Sequence, residues 1–325
     1  STAKREAKQA SASAAQNTFE AVALEWLKAT AAKRSARTGA TIERRLQIDV
    51  FPEIGRLPIA SIKPPTMRAM LDKMIARGVT DTAARMAKTC ELVFAYAIGR
   101  GLAEVDAAVG MRATLPQAKT KHRAAITDPL ALGALLRAMH DYEGHPCTQV
   151  ALKLSPMLLV RPGELRRAEW AEIDLDTATW AIPAEKMKMD NAHIVPLPRQ
   201  AVELLRSLQP LTGSERYVFG SLRAAAVPMS ENTVNAALRG MGYAKEVQTA
   251  HGFRASARTI MDEVLGERVD LIEHQLAHTV KDANGRAYNR TAHLPARREM
   301  MQRWADYLDQ LRTGAQVVPF VQKMA

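Results

Sequence analysis

The first hundred residues place apolar side chains at the spacing expected of α-helices that pack against one another. Thr18 can cap a first helix, because its hydroxyl directly precedes apolar positions that recur with a period of about 3.6 residues. Those positions are Phe19, Val22, Ala23, Trp26 and Leu27. Further helices are predicted over 36–50, 65–77 and 81–99. The second is expected to end near Pro52, and the third begins with proline and stops at Gly78. The pattern therefore predicts a small helical bundle.

Residues 113–124 interrupt this pattern. They show no hydrophobic period and carry several basic or potentially basic side chains, which is typical of exposed chain. We predict that they link two domains. An ordinary surface loop would give the same pattern, and the sequence leaves both interpretations open.

The remainder of the chain mixes helical periods with a single strand-like region. Helices are predicted over 128–142, 147–158, 162–167, 200–208, 231–240, 253–265, 269–277 and 295–311. Two β-rich runs, 179–182 and 192–197, flank a turn at Met189-Asp190-Asn191 and predict an antiparallel hairpin. The last helix has an apolar face that we expect to pack on its own domain. The predicted fold is mainly α with a small antiparallel β-sheet, in two domains.

The charge of the chain favours a polyanionic partner. It has 325 residues, 47% of them hydrophobic, and a formal net charge of +11. Residues 1–120 hold 19 Lys and Arg against 11 Asp and Glu, a net charge of +8, whereas residues 121–325 hold 26 against 23, a net charge of +3. We therefore expect the first domain to provide the stronger electrostatic attraction.

Several classes of protein do not fit the sequence. A membrane-spanning helix requires about 18 consecutive apolar residues, and the sequence has no such run. The chain also does not begin with an apolar signal region. Cys90 and Cys147 lack metal-ligand spacing, and we expect two reduced thiols in a cytoplasmic protein. No glycine-rich nucleotide-binding motif is evident, so we expect no cofactor.

Candidate chemistry lies in short motifs spread over the second half of the chain. They are Arg161 in Arg-Pro-Gly-Glu, Lys188 in Met-Lys-Met, His251 and Arg254 in His-Gly-Phe-Arg, His278 in Gln-Leu-Ala-His, and Tyr288 in Ala-Tyr-Asn-Arg. An arginine fork holds two phosphate oxygens at once and stays charged. An imidazole gains or loses a proton near neutral pH. Together these side chains indicate a site that acts on a phosphodiester.

The motifs, taken in this order, resemble those of the tyrosine recombinases, most closely the integrases of prophages and genomic islands. The resemblance extends from about Thr18 to about Leu308. It implies a helical core-DNA-binding domain over 18–112, a linker over 113–124 and an α+β catalytic domain over 125–313. It also implies that residues 1–17 form a linker or the tail of a missing N-terminal arm-binding domain, and that 314–325 form a C-terminal tail.

The resemblance further implies site-specific cutting and rejoining of DNA through a 3′-phosphotyrosyl intermediate, without metal or nucleotide, to integrate or excise a mobile element. Tyr288 would be the nucleophile, and Arg161 and Arg254 would hold the phosphate. His251 would donate to a phosphate oxygen or accept the tyrosine proton. His278 would bond the scissile phosphate or its leaving group. Lys188 would protonate the leaving oxygen, and Glu164 would fix the guanidinium of Arg161 or an imidazole.

Alternatives remain at several of these positions. Lys186 competes with Lys188, since residues two apart in a strand face the same side. Tyr307 is a second candidate nucleophile, although its helical spacing favours packing. His274 and His278 could begin a metal site, which we reject because no third ligand is evident. A type IB topoisomerase shares the same chemistry, and an inactive DNA-binding protein would lack one of the six residues.

The family resemblance also implies partners. We expect double-stranded DNA attachment sites, and a homotetramer on two duplexes that is monomeric without DNA. The C-terminal tail would dock on a neighbouring or on its own subunit. Accessory DNA-bending or excision-directing proteins are expected, and a membrane is not. The bacterial cytoplasm is the expected location.

Overall fold

The computed structural model describes residues 17–117, 124–187, 191–221, 224–278 and 293–314. The chain divides into two compact units, Ser1–Lys121 and His122–Ala325. Each unit has a hydrophobic core of its own, as expected when each buries enough apolar surface to fold around it. None of the helices in the described ranges is long and apolar enough to cross a membrane.

Unit 1 is helical. The α-helices in its described residues are α1 (Phe19–Ala29), α2 (Ala36–Arg45), α3 (Pro64–Ala76) and α4 (Thr80–Gly99). The hydroxyls of Thr18 and Ser35 accept hydrogen bonds from backbone N–H groups in the first turns of α1 and α2, both at 3.3 Å. Proline opens α3, where a missing N–H has no consequence. The core includes Phe19, Trp26, Met67 and Phe94.

The predicted end of the second helix near Pro52 is wrong. The chain continues from α2 as a π-helical segment, Leu46–Gly55, that encloses this proline. The wider winding relieves the clash between the proline ring and the preceding turn. Leu46, Val50 and Ile54 are fully buried in this segment, and their burial stabilises it despite the missing donor.

The other α-helices of the described ranges lie in unit 2. They are α5 (Pro129–His140), α6 (Pro146–Leu158), α7 (Pro162–Leu165), α8 (Arg199–Thr212), α9 (Thr233–Gly240), α10 (Gly252–Glu263), α11 (Val269–Gln275) and α12 (Leu294–Thr313). Asp128 caps α5 by accepting from the Ala131 N–H at 2.8 Å. The buried indole of Trp304 donates to the Pro156 carbonyl at 2.9 Å and so joins α12 to α6. The helix that contains Arg199 runs past its predicted end at 208, as far as Thr212.

Unit 2 also carries two small antiparallel sheets. Strands β1 (Ile173–Asp174), β2 (Thr179–Ile182) and β3 (His193–Pro196) lie in that order. The β2–β3 pairing runs from Thr179 opposite Pro196 to Ile182 opposite His193, so the predicted hairpin is confirmed. A second pair, β4 (Gly220–Ser221) with β5 (Ala224–Pro228), was not predicted, because alanine runs carry no strand signal. The prediction of a mainly helical fold with a small antiparallel sheet is confirmed.

Candidate functional site

Arg161 stands at the start of α7, where Glu164 holds it from both ends. One carboxylate oxygen of Glu164 accepts the Arg161 backbone N–H at 2.7 Å, and the other accepts its guanidinium at 2.7 Å. The Glu164 side chain is 4% exposed, so the carboxylate is shielded from water, whereas the Arg161 side chain is 21% exposed. The second terminal nitrogen of Arg161 donates to the Ala277 carbonyl at 3.5 Å. The guanidinium is therefore fixed in orientation.

Arg254 lies in the first turn of α10 and is buried. Its guanidinium donates to the carbonyl of Leu159, and to that of Leu276 at 2.7 Å. Burial, and then the positive charge of Arg161, lower the pKa of Arg254 to about 10. The side chain therefore keeps its charge at neutral pH. Arg161 and Arg254 bind the adjacent carbonyls of Ala277 and Leu276, so the two cations lie in one site.

Both arginines bind carbonyls of residues in the left-handed region. Leu159 has φ 58° and Ala277 has φ 51°. This conformation costs a residue other than glycine about 1–2 kcal/mol. At Ala277 it belongs to a Schellman motif, in which the Ala277 N–H donates to His274 and the His278 N–H donates to Glu273. The turn ends α11 and points two backbone carbonyls, those of Leu276 and Ala277, toward the arginines.

His278 follows this turn directly. Its Nδ1 atom lies 2.5 Å from a Glu273 carboxylate oxygen, and its Nε2 atom lies 3.2 Å from the Arg254 guanidinium. Because a carboxylate accepts and a guanidinium donates, these contacts place the proton on Nδ1 and the lone pair on Nε2. The other oxygen of Glu273 accepts from Arg258 at 3.1 Å, which holds the carboxylate in place. The Glu273 carboxylate thus fixes the orientation of the imidazole ring through its Nδ1 atom.

His251 occupies the N-cap position of α10, one turn before Arg254. Gly252 follows it and packs directly against the chain at Ala124. A Cβ at Gly252 would lie 2.1 Å from the Ala124 carbonyl oxygen, so no larger residue fits without displacement. The Gly252 N–H donates to the Thr249 hydroxyl at 2.9 Å. These contacts fix the start of the helix that bears both His251 and Arg254.

Two predicted site residues, Lys188 and Tyr288, lie outside the described residues. The competing Lys186 is described and is half-buried. Its ammonium contacts the carboxylates of Glu169, at 2.6 Å, and Glu172, and donates to the Arg167 carbonyl at 3.1 Å. Lys186 therefore joins the hairpin to the chain before β1.

The second predicted nucleophile and the predicted metal pair have other surroundings. Tyr307 is buried on α12 and its ring stacks on that of Trp304, with centroids 6.2 Å apart. His274 is buried beside His293, with ring centroids 5.8 Å apart. Burial, then the charges of Arg297 and His293, lower its pKa. Within the described ranges, no three His, Cys, Asp or Glu side chains are grouped as metal ligands.

The structure thus brings Arg161, Arg254 and His278 together, with Glu164 and Glu273 behind them. Glu273 and its partner Arg258 were not predicted from the sequence. A separation of five residues carries no signal in a regular helix, and only the Schellman turn makes the Glu273 and His278 side chains neighbours. The arrangement presents two fixed guanidinium groups and an oriented imidazole, which together suit a tetrahedral anion such as phosphate.

Two family models match the chain. Residues 19–114 match the phage integrase central domain, and residues 128–293 match the phage integrase family. The integrase of Enterobacteria phage P4 is 37% identical over 309 residues, which cover 91% of this chain and 70% of that protein.

Solved structures share the fold. A lambda integrase (75–356) dimer bound to a COC′ core site superposes with a TM-score of 0.64 at 18% identity, covering 81% of this chain and 96% of that one. A lambda integrase tetramer bound to a Holliday junction gives a TM-score of 0.64 at 18% identity, covering 84% of this chain and 80% of that one. The fold predicted from the family resemblance is confirmed.

Proposed function

The chain belongs to the phage integrase family and is a tyrosine recombinase, and we propose that it cuts and rejoins DNA through a covalent bond between Tyr288 and a 3′ phosphate. The observation that carries this proposal is the convergence of Arg161, Arg254 and His278. A phosphodiester resists attack because its anionic oxygens repel nucleophiles, and fixed cations remove that obstacle.

In the proposed step, the Tyr288 oxygen forms a bond to phosphorus while the bond from phosphorus to the 5′ oxygen breaks. Arg161 and Arg254 bind the non-bridging oxygens and stabilise the charge that develops on them. Their own partners, Glu164 and three backbone carbonyls, hold both forks before the substrate arrives. No reorientation is then needed as the reaction proceeds.

Two imidazoles complete this part of the site. His251 takes the phenolic proton of Tyr288, since it stands at the start of α10 one turn from Arg254. His278 bonds a phosphate oxygen or the leaving group once its Nε2 atom carries a proton, and Glu273 holds the ring through Nδ1 with Nε2 directed toward the guanidinium groups. The reverse reaction uses the 5′ hydroxyl of another strand, so no nucleotide or metal is required.

Lys188 is the proposed general acid, which gives its proton to the departing 5′ oxygen. The choice over Lys186 is supported by the contacts of Lys186 with Glu169 and Glu172. An ammonium held between two carboxylates is not free to give its proton to the departing oxygen. General acid catalysis of this kind contributes about 100-fold to 10,000-fold to the rate.

The proposed substrate is duplex DNA that carries attachment sites, acted on in the bacterial cytoplasm. We assign core-site binding to residues 18–112, linkage to 113–124 and catalysis to 125–313; the net charge of +8 over residues 1–120 supports the first assignment. Related chains bind DNA as a dimer and as a tetramer on a Holliday junction. They support a homotetramer on two duplexes. We further propose that the protein is a monomer before DNA is bound and that accessory DNA-bending or excision-directing proteins assist it.

Trapping of the covalent intermediate tests the proposal. Nicked suicide duplexes spanning the ends of the mobile element should accumulate a protein–DNA adduct, because the cleaved strand diffuses away. Tyr288→Phe should keep its DNA affinity and form no adduct, while Tyr307→Phe should still form it. Mass spectrometry of the trapped peptide identifies the attacking residue. An adduct that persists in Tyr288→Phe would contradict the assignment, and relaxation of supercoiled plasmid without a site would favour a topoisomerase.

A further inference from the structure

A buried polar network lies behind the candidate site, centred on Gln275. Its side chain is fully buried at the end of α11. The side-chain oxygen accepts from the Arg297 guanidinium at 2.6 and 3.2 Å, and the side-chain nitrogen donates to the Leu158 carbonyl at 3.2 Å. The backbone oxygen of Gln275 lies 3.2 Å from Nε2 of His193. One residue therefore joins three other segments of the chain.

Arg297 is the charged member of this network. It stands in the first turn of α12 and is fully buried. Besides Gln275, its guanidinium donates to the Ile194 carbonyl on β3 at 2.7 Å. Burial lowers the pKa of Arg297 to about 10, so the side chain is charged at neutral pH. A buried charge is costly unless fixed acceptors surround it, which makes the positions of those acceptors important for stability.

The elements joined by the network lie directly before or after the proposed catalytic residues in the chain. Leu158 ends α6, three residues before Arg161. β3 is one arm of the hairpin whose connection contains Lys188, and Gln275 lies three residues before His278. α12 is the first described helix after the segment with Tyr288. The side chains of Gln275 and Arg297 thus connect α11 and α12 with each other, with α6 and with β3.

We propose that Gln275 and Arg297 are positioning residues, which set the distances between these segments without touching the DNA. The inference rests on the proposed function. It gives a role in catalysis to two residues that do not themselves react with the DNA. A displacement of about 1 Å in a catalytic group can cost roughly 100-fold in rate. Loosening the network should therefore slow cleavage far more than it weakens DNA binding.

Gln275→Met is the primary variant, because it has a similar length and removes both hydrogen-bonding groups. Single-turnover formation of the covalent adduct is measured at saturating nicked duplex, together with the DNA concentration at half-saturation. We expect the rate constant to fall by about 10-fold to 100-fold. The half-saturating DNA concentration should change less than about twofold, because basic contacts to phosphate determine affinity.

A matched variant separates positioning from simple loss of stability. Thr212→Val removes a buried hydroxyl that bonds the Leu208 and Val218 carbonyls and Trp170, all in unit 2 but outside the network. It should lower the melting temperature while the cleavage rate constant, measured well below that temperature, stays native. If Gln275 had a merely structural role, Gln275→Met would likewise lower the melting temperature and keep the native cleavage rate constant. That result would overturn the inference.

Two further variants keep the test decisive if Gln275→Met folds poorly. Gln275→Glu keeps an acceptor for Arg297 and loses the donor to Leu158, and Arg297→Lys keeps the charge and loses the fork. Both should slow adduct formation at native DNA affinity. A native rate constant in these two folded variants overturns the inference. Absence of any adduct from the native chain would instead contradict the proposed function, so the two failures are distinguishable.

Discussion

The Nδ1 atom of His278 lies 2.5 Å from a carboxylate oxygen of Glu273, five residues earlier in the chain. A helix that continued past Gln275 would separate these side chains. The Schellman turn at Ala277 reverses the direction of the chain and brings them together. Glu273 is in turn held by Arg258, so the orientation of the imidazole is determined by α10 and α11 jointly.

Replacement of Glu273 by glutamine should therefore slow DNA cleavage. The amide can still accept from Nδ1, but a hydrogen bond to an ionised acceptor is about twice as strong as a neutral one. We expect Glu273→Gln to lower the single-turnover rate of adduct formation on the order of tenfold, with little change in DNA affinity. Glu263→Gln, an exposed change on α10, is the control. A native rate for Glu273→Gln would show that the contact is not used.

Replacing each of the two hairpin lysines by methionine should change a different property, stability for Lys186 and cleavage rate for Lys188. Lys186→Met leaves Glu169 and Glu172 without the ammonium between them and should lower the free energy of unfolding by about 1–3 kcal/mol. Lys188→Met should slow cleavage by about 100-fold to 10,000-fold. Denaturant titration and single-turnover cleavage are measured for both variants.

A sulfur leaving group provides the control for Lys188. When sulfur replaces the 5′ bridging oxygen, the leaving thiolate needs no proton, because a thiol is far more acidic than an alcohol. Lys188→Met should then cleave at close to the native rate. If the sulfur substrate instead rescues Lys186→Met, the general acid is Lys186 and its contacts with the two glutamates must open during the reaction.

The sequence predicted the parts of the site whose signal is local. Arg161 and Arg254 stand in short motifs, and the structure brings both to the adjacent carbonyls of Ala277 and Leu276. The helical periods and the β2–β3 hairpin were also readable, since each depends on side chains a few residues apart. The roles of Lys188 and Tyr288 stay predictions.

What the sequence could not show depends on tertiary packing. The π-helical winding around Pro52 follows from burial of its apolar neighbours, which overrides the usual effect of proline. The Gln275–Arg297 contact joins residues 22 positions apart that have no local pattern in common. Glu273 likewise contacts His278 only because Ala277 adopts a left-handed backbone conformation. From sequence, such a conformation is expected at glycine and not at alanine.

That alanine yields a prediction about stability. Ala277 adopts φ 51°, where glycine has no steric penalty. Ala277→Gly should raise the free energy of unfolding by about 1 kcal/mol while keeping the backbone carbonyl that Arg161 binds. Ala255→Gly, at an exposed position of α10, should lower it by about 1 kcal/mol. Urea titration measures both, and a destabilised Ala277→Gly would mean that the methyl group itself contributes to packing.

Among the glycines that the structure describes in unit 2, Gly252 should tolerate a methyl group poorly, since its nearest neighbour is a backbone oxygen that cannot rotate away. A Cβ there would lie 2.1 Å from the Ala124 carbonyl oxygen, so either Ala124 or the start of α10 must move. Gly252→Ala should cost about 1–3 kcal/mol in the free energy of unfolding. It should also slow cleavage at least tenfold, because α10 bears His251 and Arg254 and a small displacement of catalytic groups is costly. Gly240→Ala at the end of α9 meets no atom within 4 Å and should leave both quantities close to native. Equal behaviour of the two variants would show that the chain at Ala124 yields freely and that α10 is not held by this contact.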